Sequence, residues 1–504
     1  MAAAKGGVRD TYVAEFAEFE GLITALMPAL KEYYYANGNP DETPVVKFLK
    51  PADLAEALDL SLGRDGEPPE KIVARVQSAL QYSVRTSHPR FFDKLYAGSD
   101  PVGQVAELVT AVLNTNVHTY AVAPAFAMME QEIIKSMAVQ VGFNRDTADG
   151  ILCPGGTFAN MSAMMVARNE KFPHVRKEGW RPEDKPVCFT SAQAHYSVKR
   201  GAMMAGFGMD NCIAVAADVR GCMIPEALDA AIVEAKAGGR TPFFVSTTAG
   251  TTVMGGFDPF AAIREVATKH GVWMHVDGAW GGSAVMSAKH RHLMAGVELA
   301  DSLTWNPHKA LGVPIYASSL ITNNHVGALE RSNNSSAEYL FHKHEASAYD
   351  LGDKSLQCGR RADALKLWLC WKRQGVAGFE SRVDQAFARA EYIAAEVKKR
   401  SGRFALVAEP MSCNVAFWFI PEVARKDYAA GGHAACYDAL DKVTGQIYAA
   451  MQDAGTMLVN FNPLSDHKLP RFFRIIMNQT RVAEADLDFV LDEIERLGAL
   501  VAAQ

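Results

Sequence analysis

The sequence predicts an α/β protein whose central sheet is mostly parallel, and three observations support this fold class. From about residue 87 onward, short apolar or β-branched runs alternate with helical stretches, as in consecutive βαβ units. Before residue 87 the pattern is helical, and beyond residue 400 shorter strands and helices indicate a smaller α+β unit. The predicted strands of the central sheet are residues 186–190, 212–216, 241–247, 271–276 and 301–305.

The same patterns divide the chain into three predicted parts. They are an N-terminal helical segment over 1–86, a large domain over 87–385 and a small C-terminal domain over 386–504. The chain has 504 residues, which is more than one hydrophobic core supports, so several parts are expected. The remaining predicted elements are helices at 11–35, 51–84, 379–399, 436–454 and 483–503 and strands at 404–409 and 415–420.

Composition and charge exclude several classes of protein. A net charge of -6, from 57 acidic and 51 basic side chains, gives no reason to expect nucleic acid or an anionic membrane as a partner. No apolar run approaches the roughly 20 residues that span a bilayer. The N-terminus lacks the apolar core of a secretion signal, so we expect a cytoplasmic protein. The eight cysteines include no Cys-x-x-Cys pair, which argues against a zinc site and against a disulfide framework.

A glycine-rich turn precedes a predicted helix in Cys153-Pro-Gly-Gly-Thr-Phe-Ala-Asn160. Paired glycines let the backbone approach an anion, and the amides at the start of a helix can hold a phosphate. The turn is neither a P-loop nor a dinucleotide fingerprint, because both of those patterns are missing. Taken alone, a Pro-Gly-Gly turn before a helix is more often only a turn than an anion site, so Gly155 and Gly156 do not by themselves indicate a phosphate.

An acidic residue closes the predicted strand in His275-Val-Asp-Gly-Ala-Trp-Gly-Gly282. The carboxyl end of a strand faces the ligand crevice of an open α/β sheet. Asp277 is therefore placed to pair with a protonated pyridine nitrogen, although it is equally suited to capping a turn. Ala279 is small enough to lie beneath a flat ring.

A lysine and a histidine complete the candidate site. Lys309 lies in Thr304-Trp-Asn-Pro-His-Lys-Ala-Leu-Gly312, between an imidazole and an apolar turn. Partial burial there would lower its pKa, as a Schiff-base lysine requires. His195 comes directly after a predicted strand of the same sheet, where stacking on a ring is plausible. Histidines also occur at 290–292 and 342–345, but neither group has the His-Glu-x-x-His spacing, so we expect no metal site.

In this order and spacing, the motifs resemble those of the PLP-dependent group II amino-acid decarboxylases. The resemblance runs from about residue 88 to 497 and is strongest to the glutamate, cysteine-sulfinate and acidic-amino-acid decarboxylases. It implies fold type I, the aspartate-aminotransferase-like fold, and a homodimer with active sites at the subunit interface. The narrower match rests on His88-Pro-Arg-Phe-Phe, Asn114-Thr-Asn, Ala249-Gly-Thr-Thr, His290-Arg-His, Tyr339-Leu-Phe, Gly352-Asp-Lys, Gln357-Cys-Gly-Arg and Phe472-Phe-Arg474.

The resemblance also implies a role for each motif residue. Lys309 would carry pyridoxal 5′-phosphate (PLP) as a Schiff base, and Asp277 would pair with the pyridine nitrogen. His195 would stack on one face of the ring, with Ala279 on the other. Tyr339 matches a loop tyrosine that returns a proton to the substrate, and Tyr349 is a nearby alternative. The other cofactor-binding residues implied are Gly156, Thr157, Thr252, Asn306 and His308.

Arg474 matches the arginine that binds the distal acidic group of the substrate in this subfamily. A fixed guanidinium suits a carboxylate or sulfinate through a bidentate fork, whereas aromatic or aliphatic substrates would leave its charge unpaired. Asn116 is glutamate-decarboxylase-like. Lys94 stands where the family usually has glutamine, Tyr96 where glutamate decarboxylases have a small serine, and His118 where relatives commonly have Phe or Tyr. These three departures indicate a narrower, more cationic pocket.

The sequence therefore predicts a lyase of amino-acid metabolism, a PLP-dependent carboxy-lyase acting on a small acidic amino acid. We expect it to favour cysteine sulfinate, cysteate or aspartate, giving hypotaurine, taurine or β-alanine. The first alternative is a glutamate decarboxylase that makes GABA. Two further alternatives are another PLP reaction and a catalytically silent binding protein. Tyr339 argues against the aldehyde-forming PLP reaction, and the retention of Lys309, Asp277 and His195 together argues against a silent protein.

Overall fold

The computed structural model describes residues 8–334 and 345–502. The N-terminal segment contains helices α1 (Val8–Ala36), α2 (Pro51–Leu58) and α3 (Pro69–Tyr82). The single helix predicted over 51–84 is wrong, because α2 and α3 are separate. The connection contains Gly63, Gly66 and Pro68, which disfavour a continuous helix. Arg75 of α3 forms ion pairs with Asp59 and Glu67 of this connection.

A seven-stranded sheet forms the centre of the protein, with the strand order β1-β7-β6-β5-β4-β2-β3. Only β7 runs antiparallel to its neighbours, so the predicted, mostly parallel sheet is confirmed. All five predicted strands are present, whereas β1 and β7 were not predicted. The strands are β1 (Asp149–Cys153), β2 (Pro186–Ser191), β3 (Cys212–Val215), β4 (Thr241–Thr248), β5 (Trp273–Gly278), β6 (Ser302–Trp305) and β7 (Ser318–Thr322).

Helices cover both faces of this sheet, which explains why its strands are buried along their length. On one face α6 contributes Ala159 and Ala163 to a core that includes Ile151 and Phe244. The helices of this region are α4 (Pro101–Leu113), α5 (Pro124–Gln140), α6 (Gly156–Lys171), α7 (Val175–Glu178), α8 (Ser197–Met204), α9 (Pro225–Ala237), α10 (Phe260–His270) and α11 (Ala328–Asn333).

A long helix, α12 (Ala364–Lys399), connects the central sheet to a second sheet. Its backbone breaks at Gly375, where φ is 63°, and the helix predicted at 379–399 is the part after this break. The predicted domain boundary at residue 385 falls within α12. Phe379 and Val383 of α12 belong to one core that includes Val276 of the central sheet and Phe417 of the second. The two sheets therefore share a continuous hydrophobic core.

The second sheet has four antiparallel strands in the order β10-β11-β9-β8. The elements of this region are β8 (Phe404–Leu406), β9 (Asn414–Phe419), α13 (Arg425–Ala435), α14 (Tyr437–Ala454), β10 (Asn460–Leu464), β11 (Leu469–Ile476) and α15 (Glu484–Ala502). Across residues 8–334 and 345–502, no helix has both the length and the apolar character needed to cross a membrane.

Candidate active site

A cavity of about 210 Å³ opens where β4, β5 and β6 end. In open α/β sheets, ligands bind at the carboxyl ends of the strands. Thr248 at the end of β4 pairs with Asp277 of β5, and both line the cavity. All of the residues predicted to bind the cofactor also line it, namely Gly156, Thr157, His195, Thr252, Asp277, Ala279, Asn306, His308 and Lys309.

Lys309 follows β6 in a tight turn, in which its backbone N–H donates to the carbonyl of Asn306 at 3.0 Å. Burial lowers the pKa of Lys309, and the nearby charge of Asp277 offsets only part of this shift. Within the described residues, the amine has no hydrogen-bond or ion-pair partner. A lowered pKa increases the neutral fraction of the amine, which is the nucleophilic form.

Asp277 is held in a fixed orientation at the end of β5. One carboxylate oxygen accepts from Asn160 Nδ2 at 2.7 Å, and the other accepts from the backbone N–H of Ala279 at 3.1 Å. The residue is 4% exposed. A buried carboxylate aimed into a cavity is suited to pairing with a protonated heterocycle.

His195 lies in the loop after β2, and its Nδ1 is 2.9 Å from Ser197 Oγ. Burial lowers its pKa, and the positive charges of Lys309 and Arg200 act in the same direction, while Asp277 opposes them. The imidazole is therefore neutral at neutral pH. A neutral ring in this position can stack on a flat ligand without adding a charge.

The glycine-rich turn forms the anion-binding edge of the cavity. Gly155 has a φ of 103°, and α6 begins at Gly156. The first amides of a helix have no partners within the helix and are free to bind an anion. A Cβ atom on Gly156 would lie 2.8 Å from Asn306 Nδ2 and 3.3 Å from Ala279 Cβ, so only glycine leaves this space open.

Five residues that were not predicted as site residues from the sequence also line the cavity. They are Asn160, Tyr196, Thr248, Gly250 and Trp280. Asn160 lies four residues after Gly156, and positions i and i+4 share one face of a helix. That spacing was the available signal for Asn160.

Comparison with known proteins assigns this arrangement to a family. The model of the pyridoxal-dependent decarboxylase conserved domain matches residues 51–420. The chain belongs to the pyridoxal-dependent decarboxylase family. The decarboxylase is 42% identical to cysteine sulfinic acid decarboxylase of Mus musculus over 481 residues. This alignment covers 95% of this chain and 96% of the mouse protein. The decarboxylase is also 42% identical over 456 residues to acidic amino acid decarboxylase GADL1 of Xenopus tropicalis, covering 90% of this chain and 88% of that protein.

Solved structures agree with this assignment. Mouse CSAD in its apo form has a TM-score of 0.90 at 41% identity, covering 95% of this chain and 99% of that chain. Oryza sativa TDC with PLP and tryptamine shares the fold, with a TM-score of 0.83 at 22% identity over 99% of both chains. The decarboxylase is therefore a fold type I, PLP-dependent carboxy-lyase, as the sequence predicted.

The cavity of this decarboxylase fits PLP on the chemistry of its own residues. It combines a free amine on Lys309, a buried carboxylate on Asp277 and the open amides at the start of α6. Asn306 adds a buried Oδ1 that has no partner within the described residues. The aldehyde, the pyridine nitrogen and the phosphate of PLP each match one of these groups.

Arg474, on β11, is close to the cavity without lining it. Its two terminal nitrogens donate to the carbonyl oxygens of Thr252 at 2.8 Å and Asp93 at 2.9 Å, and Thr252 lines the cavity. The side chain is buried, and its Nε has no hydrogen-bond partner among residues 8–334 and 345–502. Burial lowers the pKa of Arg474 to about 10, although the negative charge of Asp93 opposes this shift.

The four other predicted substrate residues do not line the cavity as the described residues form it; they are Lys94, Tyr96, Asn116 and His118. Lys94 is 46% exposed and forms an ion pair with Asp93 at 2.9 Å. The side-chain oxygen of Asn116 accepts from the backbone N–H of Arg360 at 2.8 Å. Tyr96 packs against Phe91, with ring centroids 6.2 Å apart. Their roles toward the substrate stay predictions.

The loop tyrosine predicted to donate a proton, Tyr339, lies outside the described residues. Its alternative, Tyr349, packs against Tyr120 with ring centroids 5.6 Å apart, and it does not line the cavity as the described residues form it. Across those same residues, no group of three or more His, Cys, Asp or Glu side chains is arranged to hold a metal ion.

Proposed function

We propose that this decarboxylase removes the α-carboxyl group of short acidic amino acids. The substrates would be cysteine sulfinate, cysteate or aspartate, and the products hypotaurine, taurine or β-alanine. The observation that carries the proposal is Arg474, a buried guanidinium beside the cofactor cavity that makes no ion pair within the described residues. An acidic side chain of the substrate would supply the missing negative charge.

The residues around the cavity divide the work of this reaction. Lys309 would bind the cofactor covalently, and Asp277 would hold the pyridine nitrogen in its protonated form. When bound, PLP supplies the electron sink that accepts the electron pair left as the α-carboxyl carbon departs as carbon dioxide. His195 and Ala279 would hold the two faces of the ring. Tyr339 remains our candidate for the group that returns a proton to the α-carbon.

The remaining cofactor contacts are proposed around the phosphate. The amides of Gly156 and Thr157 at the start of α6 would bind its oxygens, and Asn306 and His308 would lie on the opposite side. Burial lowers the pKa of His308 to about 4, so it would contribute hydrogen bonds and no charge. Thr252 would connect the cofactor to Arg474, because its carbonyl accepts from that side chain.

The preference for a short acid rests on different residues. Tyr96 replaces a small serine of the glutamate decarboxylases, while Lys94 and His118 replace uncharged residues of related enzymes. If these side chains face the substrate, the pocket is narrower and more cationic, which suits a three-carbon acid. Relatives at 42% identity are named cysteine sulfinic acid decarboxylase and acidic amino acid decarboxylase, which supports this substrate class. Asn116 resembles the residue of the glutamate decarboxylases, so decarboxylation of glutamate to GABA is the second candidate.

The test is a panel of acidic amino acids with release of carbon dioxide as the readout. We expect cysteine sulfinate, cysteate or aspartate to have the highest kcat/KM. Equal or better turnover of glutamate than of all three shorter acids would contradict the proposed preference. Lys94→Gln and His118→Phe should then narrow the difference between short acids and glutamate if these side chains set it.

Arg474→Met tests the distal anion site directly. A hydrogen bond to a charged group contributes about 1.5–3 kcal/mol, so kcat/KM for acidic substrates should fall roughly 10- to 150-fold. The matched control is Arg471→Met, on the same strand, where the arginine pairs with Asp441 at a partly exposed position. We expect this control to keep its kcat/KM. Equal losses in both variants would show that Arg474 acts only through the stability of β11.

We also propose that the enzyme is a homodimer and that it is cytoplasmic. None of the residues of α1 is buried, and Tyr12 and Phe16 are 68% and 61% exposed. A second copy of the chain would cover this apolar surface. All eight cysteines are free thiols, which suits a reducing compartment. Light scattering should give about twice the chain mass of 54.8 kDa, and a single-chain mass would contradict the dimer.

A further inference from the structure

A continuous chain of hydrogen bonds runs behind the cavity and joins Asp277 to His195 through Asn160. Asn160 lies on α6 and is 4% exposed. Its side-chain nitrogen is 2.7 Å from Asp277 Oδ2 and 2.9 Å from Ser197 Oγ, and its side-chain oxygen is 3.1 Å from His275 Nε2. The amide side chain thus uses both of its ends.

The direction of each bond follows from Asp277. A carboxylate only accepts, so the nitrogen of Asn160 faces it and the oxygen faces His275. His275 Nε2 must then carry a hydrogen. Burial lowers the pKa of His275 to about 4, so the ring is neutral and its Nδ1 is an acceptor. His275 Nδ1 accepts a hydrogen bond from the hydroxyl group of Ser302, with 2.9 Å between Nδ1 and Oγ.

The outer end of the chain is consistent with this assignment. Trp273 Nε1 can only donate, and it donates to Ser302 Oγ at 2.9 Å. Ser302 can therefore accept from Trp273 while it donates to His275. Thr304 Oγ1 also lies 3.4 Å from His275 Nε2 and can share the hydrogen of that nitrogen as a second acceptor. The reverse orientation of Asn160 would place its oxygen against the carboxylate of Asp277.

The inner end of the chain reaches His195. The second N–H of Asn160 donates to Ser197 Oγ, and Ser197 donates its hydroxyl hydrogen to His195 Nδ1 at 2.9 Å. The backbone N–H of Ser197 also donates to this nitrogen, at 3.3 Å. A neutral imidazole whose Nδ1 accepts must carry its hydrogen on Nε2. His195 Nε2 has no partner within the described residues and is left as a donor for a ligand.

We propose that Asn160 is a positioning residue that fixes the orientation of Asp277 and, through Ser197, the tautomer of His195. This inference rests on the roles proposed above for Asp277 and His195 toward PLP. Outer hydrogen bonds of this kind orient the groups that contact a bound ligand and tune their basicity. The charged groups near His195 are Asp277, Lys309 and Arg200, so the tautomer is also sensitive to their placement.

Holoenzyme variants Asn160→Leu and Ser197→Ala separate the two arms of the chain. With Asn160→Leu we expect the dissociation constant of PLP to rise about tenfold to 100-fold and the pH midpoint of the visible absorbance of the bound cofactor to shift. With Ser197→Ala we expect PLP affinity to stay near wild type. In the same variant, the ¹⁵N chemical shift of His195 Nδ1 should change, because this nitrogen keeps only the longer hydrogen bond from the backbone N–H of position 197.

The matched control is Asn169→Leu, the same change on the same helix, where the amide bonds to Ser332 at 2.7 Å. It should change neither the PLP dissociation constant nor the absorbance midpoint. If Asn160→Leu does not fold, Asn160→Ser and Asn160→Asp are measured in its place. A variant at Asn160 that keeps wild-type PLP affinity, absorbance midpoint and His195 ring shifts overturns the proposal.

A separate experiment tests whether the cofactor binds to Lys309 as proposed. Borohydride reduction of the wild-type holoenzyme, followed by peptide mass analysis, should find the cofactor on Lys309. If another residue is labelled, the assignment of the cavity fails. If Lys309 is labelled and the variants at Asn160 behave like wild type, only the positioning role fails.

Discussion

Gly156→Ala tests how closely the start of α6 must approach the cofactor. The backbone of Gly156 does not have a positive φ, so alanine can adopt the same backbone conformation. The added methyl group would nevertheless lie 2.8 Å from Asn306 Nδ2, whereas ordinary contacts begin near 3.4 Å. The side chain of Asn306 must therefore retreat by roughly half an ångström or more.

The direction of that retreat decides which measured quantity changes. The side chain of Asn306 is buried, and its Oδ1 has no hydrogen-bond partner within the described residues, so it can move into the cavity without losing a bond from that oxygen. PLP bound in the cavity would compete for this space. We therefore expect the added methyl group to destabilise mainly the holoenzyme, by about 1–3 kcal/mol. This loss corresponds to a PLP dissociation constant that is raised roughly 5- to 150-fold.

The assay is a titration of apoenzyme with PLP, followed by visible absorbance, together with the melting temperature of the apoenzyme. Gly21→Ala in α1 is the control, because a methyl group there meets no atom within 4 Å; it should leave PLP affinity unchanged. A Gly156→Ala enzyme with wild-type PLP affinity would refute the close approach. A large fall in apoenzyme stability would show that Asn306 cannot move as described.

Two further predictions concern stability. Burial lowers the pKa of His88 to about 4 from 6.5, so the unfolded chain takes up a proton between these pH values while the folded protein does not. The melting temperature should therefore fall as the pH is lowered from 6.5 to about 4, and the fall should be smaller in His88→Gln. An equal fall in the variant and the wild type would contradict this role of His88. Gly312→Ala should lower stability by about 1–3 kcal/mol, because φ is 67° and the guanidinium of Arg382 occupies the space of the added methyl group. A wild-type melting temperature would count against that packing.

The central sheet was predictable where burial makes strands apolar. The β2–β6 strands are covered on both faces, so each shows as a short hydrophobic run bounded by turns. Strand β7 was not predicted because it lacks a continuous apolar run: it contains Ser318, Ser319 and Thr322, which are all fully buried. The hydroxyl groups of Ser319 and Thr322 bond to backbone carbonyls, which makes polar residues acceptable inside the sheet. Strand β1 contains Asp149 and Gly150, which also lower its apolar character.

The residues proposed to bind the cofactor could be selected from the sequence because each lies at the end of an element that a local motif marks, and all of them line one cavity. Asp277 closes β5, Lys309 follows β6, and Gly156 begins α6. The substrate residues were less accessible to this approach. Arg474 is on the second sheet and reaches the cavity only through the carbonyl of Thr252. Lys94 and its neighbours do not line the cavity as the described residues form it, and only the proposed experiments test their roles.

The sequence alone determined the α/β fold class, the cofactor and the decarboxylase family, because these depend on short motifs and on the alternation of strands and helices. Only the tertiary structure decided which of the remaining polar residues act together. Asn160, His275 and the pair His195 and Ser197 come from three separate segments, and the hydrogen bonds between them exist only when those segments pack at one edge of the sheet. Hydrogen bonds depend on distance and angle in space, which spacing along the chain does not encode.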